Sequence, residues 1–79
     1  MTTPTVGTGT QSIDRAADLL ARVVRAPSPV TFTELAEVTG LARSTTSRLL
    51  SALERADLLA RDEQARWIPA LRIEYAVGV

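Results

Sequence analysis

Residues 34–50 read ELAEVTGLARSTTSRLL, and this stretch determines how the 79-residue chain is built. A small residue, Ala36, is followed four positions later by Gly40, and a second apolar pattern begins at Leu41. Glycine tolerates the left-handed backbone that ends a helix in a tight turn, and alanine lets two helices cross closely. The stretch therefore predicts two helices joined at a steep angle, with Leu41 and Leu49 packed between them.

The second of these helices is predicted over residues 43–56, and its two sides differ in chemistry. Its inner arc on a helical wheel consists of Thr45, Leu49, Ala52, Leu53 and Ala56, with Thr46 and Leu50 at the edge. Its outer side carries Ser44, Ser47, Arg48, Ser51 and Arg55, flanked by Arg43 and Glu54. A merely solvated side more often pairs Glu with Lys, whereas this side combines arginine with small hydroxyl residues.

A further helix is predicted ahead of this pair, over residues 13–25. Ser12 is a favourable N-cap before it, and Pro27 and Pro29 stop it. The inner arc is predicted to contain Ile13, Ala16, Ala17, Leu20, Val23 and Val24. The outer arc, expected to be solvated or to face a second copy, contains Asp14, Arg15, Asp18, Arg22 and Arg25.

The start of the middle helix admits two interpretations. Residues 30–32, Val-Thr-Phe, predict a brief strand, after which Thr33 caps a helix over residues 34–39. Thr31 and Glu34 also match a capping box, which moves the start by two residues. The residues expected to face inward are Leu35 and Val38.

The chain continues with a predicted hairpin. Residues 58–61 and 66–68 are short β-like runs joined by the polar turn 62–65, and Pro69 ends the second run. Trp67 is expected to plug the core rather than to stack on a ligand.

Both chain ends are expected to differ from the folded domain, which is assigned to residues 12–69. Residues 1–11 are rich in Thr, Gly and Pro and are predicted to form a disordered tail. Residues 70–79 are predicted to start a linker helix, whose apolar residues are Leu71, Tyr75 and Val77.

Composition excludes several classes of function. The formal net charge is +0 with a pI near 6.2, which argues against nonspecific coating of nucleic acid but permits a local basic face. The chain has no Cys and no His, so zinc hydrolysis and Ser-His-Asp or Cys-His catalysis lack a required residue. We therefore expect no enzyme, no metal site and no cofactor. No apolar run approaches the roughly 18 residues of a membrane span.

The order of elements is helix, short strand, helix, tight turn, helix and hairpin, which predicts a winged helix-turn-helix. This fold is mainly α, with a three-helix core and a small β-hairpin wing. It turns the outer side of the helix at residues 43–56 away from the domain, where it fits the major groove of DNA. A protein-interaction module is the alternative function, but such a surface is enriched in aromatic residues and Met.

From Ser12 to about Gly78 the sequence resembles the N-terminal DNA-binding domain of the IclR family of bacterial transcriptional regulators. The resemblance is carried by SIDRA from Ser12, FTELAEVTGL from Phe32, RSTTSRLLSALE from Arg43, LLARD from Leu58 and WIPALR from Trp67. Two features depart from the family pattern. The turn at residues 62–65 has no Gly, and Trp67 is followed by Ile-Pro-Ala where Leu-Gly is common.

The resemblance implies a homodimer that binds palindromic operators in double-stranded DNA near promoters, as a repressor or an activator. It also implies a linker helix leading to a larger C-terminal domain, similar to GAF domains, that binds a small organic effector. Such a regulator is cytoplasmic and nucleoid-associated, with no membrane partner. Because the chain stops where the effector domain is expected, it is either an excised domain, which we favour, or a regulator without its sensor.

The residues expected to contact DNA lie mostly on the helix at residues 43–56. Arg48, at the centre of its outer side, is expected to donate to guanine or to a phosphate. Ser44 and Arg43 are expected to hold phosphates near the helix N-terminus, and Ser47 to reach a base edge or a phosphate. Thr45 offers a methyl group to thymine, although packing is the favoured role.

Two wing residues complete the predicted contact set. Arg61 and Arg66 flank the turn and are expected to reach the minor groove or the DNA backbone. Asp62 and Glu63 lie between them and oppose a phosphate contact. Thr33 is explained by capping alone, with a phosphate contact as the second interpretation.

Overall fold

The computed structural model describes the backbone of residues 6–70 and the side chains of residues 10–70. Its elements are α1 (Val6–Arg25), α2 (Phe32–Thr39), α3 (Arg43–Arg55), β1 (Leu59–Arg61) and β2 (Trp67–Pro69). The two strands pair antiparallel, with Ala60 opposite Ile68. The predicted winged helix-turn-helix, mainly helical with a hairpin wing, is confirmed. The helix predicted from residue 70 onwards falls largely outside the described residues.

The first helix starts earlier than the sequence indicates. α1 begins at Val6, so the prediction of a start capped by Ser12 is wrong, and Ser12 lies inside the helix. Residues 6–11, which we assigned to the tail, are helical, while residues 1–5 lie outside the described range. Nucleating a helix is unfavourable, but each residue added to an existing helix gains a hydrogen bond. The packed second half of α1 therefore supports a first turn made of weak helix formers.

The buried face of α1 is not centred where the predicted arc placed it. Leu19, absent from that arc, is fully buried, and Val23 is 2% exposed. Ile13 and Val24 were predicted inside, and this is wrong because they are 66% and 46% exposed. The other elements pack on the side of α1 that carries Leu19, and they leave the side of Ile13 and Val24 open. On the outer arc, Asp18 and Arg22 form an i,i+4 ion pair at 3.2 Å.

The start of α2 follows the capping box. The backbone N–H of Glu34 donates to Thr31 Oγ1 at 3.1 Å, and the N–H of Thr31 donates to the Glu34 carboxylate at 2.9 Å. The prediction that Thr33 caps the helix is therefore wrong. Phe32 is the first helical residue rather than part of a strand, and only Val30 pairs in an extended conformation, as a bridge to β2.

α2 faces the core through Leu35 and Ala36, which are 0% and 6% exposed. Val38 was predicted to face inward, and this is wrong because it is 54% exposed. The short helix meets α1 and α3 through one narrow side, which Leu35 and Ala36 already fill. As predicted, Gly40 ends the helix with a left-handed φ of 72°, and Leu41 packs against the core.

The side of α3 that is buried in the core differs from the predicted inner arc. The residues of α3 that it buries are Thr46, Leu50 and Leu53, with Leu49 partly buried. Ala52 and Ala56 were predicted inside but are exposed. Packing favours the side with the large leucines, whereas the wheel counted small and large apolar residues alike. The buried Thr46 hydroxyl is satisfied because it donates to the Ala42 carbonyl at 3.0 Å.

The wing turn closes without a glycine. The N–H of Ala65 donates to the Asp62 carbonyl at 2.9 Å, and Ala65 adopts a left-handed φ of 62°. The Asp62 carboxylate also accepts from the N–H groups of Gln64 and Arg66, at 2.9 and 2.8 Å. The side chain of Asp62 thus fixes the turn from inside.

Trp67 connects the wing to the helices. It is 5% exposed, as predicted for a core plug, and lies in one cluster with Leu19, Leu35 and Leu59. The backbone N–H of Trp67 donates to the Val30 carbonyl at 2.7 Å, and the backbone carbonyl of Trp67 accepts from the Val30 N–H at 3.0 Å. The root of the wing is therefore held by the chain between α1 and α2.

Substitutions at Gly40 and Ala65, both with a left-handed φ, should shift stability in opposite directions. Gly40→Ala is expected to lower the free energy of unfolding by about 1 kcal/mol, because an L side chain disfavours positive φ and the surrounding space is open. Ala65→Gly is expected to raise it by a few tenths of a kcal/mol, since relief of φ strain slightly exceeds the added entropy of the unfolded chain. Urea unfolding followed by Trp67 fluorescence measures both.

The control for this pair is Ala60→Gly, which adds the same entropy in a strand without a positive φ and should lower the free energy of unfolding. If Ala65→Gly lowers it as much as Ala60→Gly does, the turn geometry described for the wing is incorrect.

Candidate functional site

The outer side of α3 presents two neighbouring rows of exposed side chains. Ser44, Arg48 and Arg55 follow one another at helical spacings and lie opposite the buried face. Arg43 and Ser47, one turn apart, form the adjacent row and are also exposed. The structure thus brings four predicted contacts onto one surface. It adds Arg55, which the sequence analysis placed on this side but left out of the contact set.

Arg48 has an open hydrogen-bonding capacity. Within residues 10–70 its guanidinium makes no hydrogen bond, ion pair or ring contact. The first turn of α3 contains no acid, and Glu54, further along the helix, pairs with Arg61 instead. A guanidinium presents its donors in a planar fork that matches a phosphate or the O6 and N7 atoms of guanine. Arg48 is therefore available to an external acceptor.

The N-terminus of α3 offers backbone donors. Its N-cap is Ala42, which makes no side-chain cap bond, and Thr46 N–H donates to the Ala42 carbonyl at 2.9 Å. The N–H groups of the three residues between them have no intrahelical acceptor. Ser44 lies in this first turn with its hydroxyl exposed, so the turn can hold an anionic oxygen with help from the helix dipole.

The two threonines that follow Ser44 are less accessible than the four predicted contacts on the outer side of α3. Thr45 is partly buried, and Thr46 is fully buried with its hydroxyl already bonded. Thr46, at the edge of the predicted inner arc, therefore serves packing. Thr45 keeps only part of its surface for an external contact.

Arg43 is held in place by an aromatic ring. Its Cζ lies 4.8 Å from the centroid of the Phe32 ring, a cation–π distance. Phe32 is the first residue of α2, so this contact brings the N-terminal ends of α2 and α3 side by side. The sequence analysis missed the contact because it assigned Phe32 to a strand. No residue spacing signals a contact between two different helices.

The wing arginines are both engaged by acids of the same domain. Arg61 binds Glu54 through Nη2 at 3.2 Å and Nε at 3.3 Å, and its Cζ lies 5.2 Å from the Trp67 ring. Arg66 binds Asp62 through Nε at 3.1 Å and also bonds to the side chain of Gln64. These ion pairs reduce the positive charge that the wing presents to an anion.

The Asp62 carboxyl group titrates below its usual range. The backbone N–H of Arg66 is the largest cause that lowers its pKa from the reference value of 3.8, followed by the N–H of Gln64 and the guanidinium of Arg66. Partial burial opposes this shift without cancelling it. The negative charge at the base of the turn is thus stabilised, and it keeps Arg66 directed towards the turn.

The remaining described surface carries little that suggests chemistry. Among residues 10–70, no three acidic residues cluster in a way that could hold a metal ion. No helix in the described range is both long and apolar enough to cross a membrane. An open groove of about 600 Å³ lies between α1 and α2 and is lined partly by the Asp18–Arg22 pair.

Comparison with known proteins shows what the whole domain is similar to. The profile of the IclR helix-turn-helix domain matches residues 12–63. The structure is similar to that of the Agobacterium tumefaciens repressor BlcR, with a TM-score of 0.73 and 24% identity over 94% of this chain and 30% of that one. It is similar to Thermotoga maritima IclR, with a TM-score of 0.72 and 23% identity over 77% of this chain and 25% of that one.

A third similar structure is a pericyclic reaction enzyme, with a TM-score of 0.59 and 23% identity over 87% of this chain and 20% of the enzyme. At these identities the structural likeness shows the fold. The chain spans less than a third of the length of each of these proteins. No curated protein matches the chain by sequence.

The lowered pKa of Asp62 predicts how wing stability depends on pH. A carboxyl group whose pKa is lower in the folded state stabilises that state above its unfolded pKa, and this stabilisation is lost as pH falls through the folded pKa. At pH 6 the free energy of unfolding of the parent should therefore exceed that of the Asp62→Asn variant, and this difference should shrink as pH falls below about 4. Urea unfolding at a series of pH values measures this difference.

The asparagine retains an acceptor for the turn N–H groups, so the comparison isolates the charge. A difference that stays constant between pH 6 and pH 3 would show that the Asp62 charge contributes nothing to the wing.

Proposed function

Because this chain belongs to the family of IclR helix-turn-helix domains, we propose that α3 reads the bases of an operator in the major groove of double-stranded DNA. Membership of this family makes the chain a DNA-binding domain of a transcriptional regulator. The observation that carries the assignment to α3 is Arg48, which is exposed at the centre of the outer side and has no partner within residues 10–70.

The central residues on the outer side of α3 read the bases. Arg48 donates two hydrogen bonds to a guanine, a contact that discriminates against other bases by about 1–3 kcal/mol. Ser47, in the adjacent row, contacts a neighbouring base edge or a phosphate. Thr45 is partly buried, so its contribution is limited to a methyl contact with thymine.

Phosphate contacts position α3 in the groove. Arg43, held on the Phe32 ring, and Ser44, beside the free N–H groups of the first turn, bind the DNA backbone at the start of the helix. Arg55, at the other end of the exposed row, is an additional candidate for a phosphate. These contacts set the register of α3 and carry no sequence information of their own.

The wing arginines have a secondary role in this proposal. Arg61 and Arg66 remain candidate contacts to the minor groove or the DNA backbone. Their ion pairs with Glu54 and Asp62 reduce their attraction for phosphates, so α3 contributes most of the affinity. The outer side of α3 contains no aromatic residue and no Met, which favours DNA over a protein partner.

We also propose that the domain acts as a homodimer on a palindromic operator. Two copies place their α3 helices in successive major grooves, about 34–36 Å apart or a multiple of that. The net charge of +0 gives one copy weak attraction to DNA, and dimerisation compensates by raising the effective concentration of the second copy. Ile13 and Val24, exposed on α1, supply an apolar surface for the second copy.

The wider biological role is proposed from membership of the family. We infer that the domain acts by binding rather than catalysis, without a metal or cofactor, and that it works in the cytoplasm on nucleoid DNA as a repressor or activator. A small-molecule effector acts through a separate C-terminal domain. The proposal assigns no role in effector binding to residues 10–70.

Selection of bound duplexes from a random DNA pool tests base reading by α3. The parent should enrich an inverted repeat, and Arg48→Ala should lose that enrichment because the bidentate base contact is removed. The matched control is Arg25→Ala, which removes the same charge from an exposed position on α1 and should retain the selected sequence. Circular dichroism establishes that each variant is folded.

If Arg48→Ala selects the same repeat with the same enrichment, the assignment of Arg48 to the groove is wrong. If the folded parent selects no sequence while dimeric, the protein-interaction alternative replaces the proposal.

Sedimentation on a duplex carrying two half-sites tests the proposed dimer surface. Ile13→Ser and Val24→Ser should each weaken dimerisation by about tenfold, because an apolar side chain no longer becomes buried. Val38→Ser, at a similarly exposed apolar residue on α2, is the control and should leave dimerisation unchanged. An equal effect of all three substitutions would contradict a dimer formed through α1.

A further inference from the structure

Glu54 is the acid that α3 carries on its outer side, and it is joined to the wing. It lies seven residues after Ser47 and three after Ser51, so it continues their row along the helix. Its carboxylate accepts two hydrogen bonds from Arg61, from Nη2 to Oε1 at 3.2 Å and from Nε to Oε2 at 3.3 Å. This is a forked contact, the geometry that holds an arginine most firmly.

The Arg61 guanidinium also lies over an aromatic ring. Its Cζ lies 5.2 Å from the ring of Trp67, and that ring is itself fixed in the core. Arg61 is thus held by both a carboxylate on α3 and an aromatic ring on β2. The side chains of Arg61 and Glu54 are nevertheless 52% and 35% exposed, so solvent and an external anion can reach the pair.

The Glu54 carboxylate therefore occupies the fork of Arg61 formed by Nε and Nη2, and it neutralises the charge that attracts a phosphate. Carboxylate and phosphate oxygens present similar acceptors to a guanidinium. An exposed ion pair is worth little, which makes the exchange of one acceptor for the other feasible. For DNA of arbitrary sequence, essentially all affinity comes from phosphate contacts.

We propose that Glu54 is an internal counter-ion that competes with DNA phosphates for Arg61 and thereby lowers the affinity of the domain for DNA of arbitrary sequence. The inference rests on the proposed DNA-binding function. It assigns to an acid on the outer side of α3 a role in suppressing unspecific binding, alongside the neutral overall charge of the chain.

Fluorescence anisotropy with a labelled random-sequence duplex, measured over a series of salt concentrations, tests the proposal. Glu54→Gln should raise the affinity about threefold at low salt, because Arg61 is released to a phosphate. The slope of log affinity against log salt should steepen by about 0.9, the value for one additional phosphate contact. The glutamine is similar in size, and position 54 is partly exposed, so the fold is retained.

Two comparisons separate release of Arg61 from a general loss of negative charge. Glu37→Gln removes the same charge from an exposed position on α2 with no ion pair in the described range, and it should leave the slope unchanged. Glu54→Gln in an Arg61→Gln background should also leave the slope unchanged, because no arginine is left to release. Asp62 is unsuitable for this test because it also holds the wing turn.

The outcomes distinguish failure of the counter-ion role of Glu54 from failure of the proposed DNA-binding function. If the parent binds duplex DNA and Glu54→Gln changes affinity and slope equally with and without Arg61, the counter-ion role is wrong and the proposed function stands. If Glu54→Gln weakens binding, the Glu54–Arg61 pair supports DNA binding rather than limiting it, which also overturns the inference. If the folded parent binds no duplex even at low salt, the proposed function fails and the inference fails with it.

Discussion

The pair of backbone hydrogen bonds between Val30 and Trp67 is the interaction on which the arrangement of this domain depends. A two-stranded hairpin alone is at best marginally stable in water, and β1 and β2 are three residues each. Pairing with Val30 adds a third extended segment, at 2.7 and 3.0 Å, and buries the Trp67 side chain among the helices. The wing, the helical core and the start of α2 therefore become one unit.

This constraint also determines the surroundings of α3. Val30 immediately precedes the Thr31 cap, so the bridge sets where α2 begins and where Phe32 lies. Phe32 then holds Arg43 at the start of α3, while Trp67 and Glu54 hold Arg61 near its end. Both ends of the helix thus have an arginine next to an aromatic ring, and the unpartnered Arg48 lies between them. Phe32 and Trp67 thus position cations at both ends of the proposed interface.

The sequence was most informative where one local rule acts alone. Gly40 ends a helix because it accepts a left-handed φ, and the Thr31–Glu34 box caps α2 within four residues, so both features could be predicted from the sequence.

The predictions for Ile13, Val24, Val38 and Ala52 failed because helical periodicity gives an apolar side but does not say how much of it neighbouring elements cover. The early start of α1 was missed because propensity was judged without the support of a packed helix. The contacts of Phe32 and Trp67 with arginines join different elements, and no spacing encodes them.

The arginines show why composition alone does not locate the interface. Nine arginines balance nine acids in the whole chain, which by itself indicates no affinity for an anion. Yet ion pairs involve Arg22, Arg61 and Arg66, whereas Arg48 and Arg55 have no acidic partner within residues 10–70. Positive charge therefore persists on the outer side of α3 and is cancelled on the wing. A neutral domain with unpaired arginines on the outer side of α3 attracts DNA weakly at long range, so under the proposed function its affinity comes from close contacts of α3 with the groove.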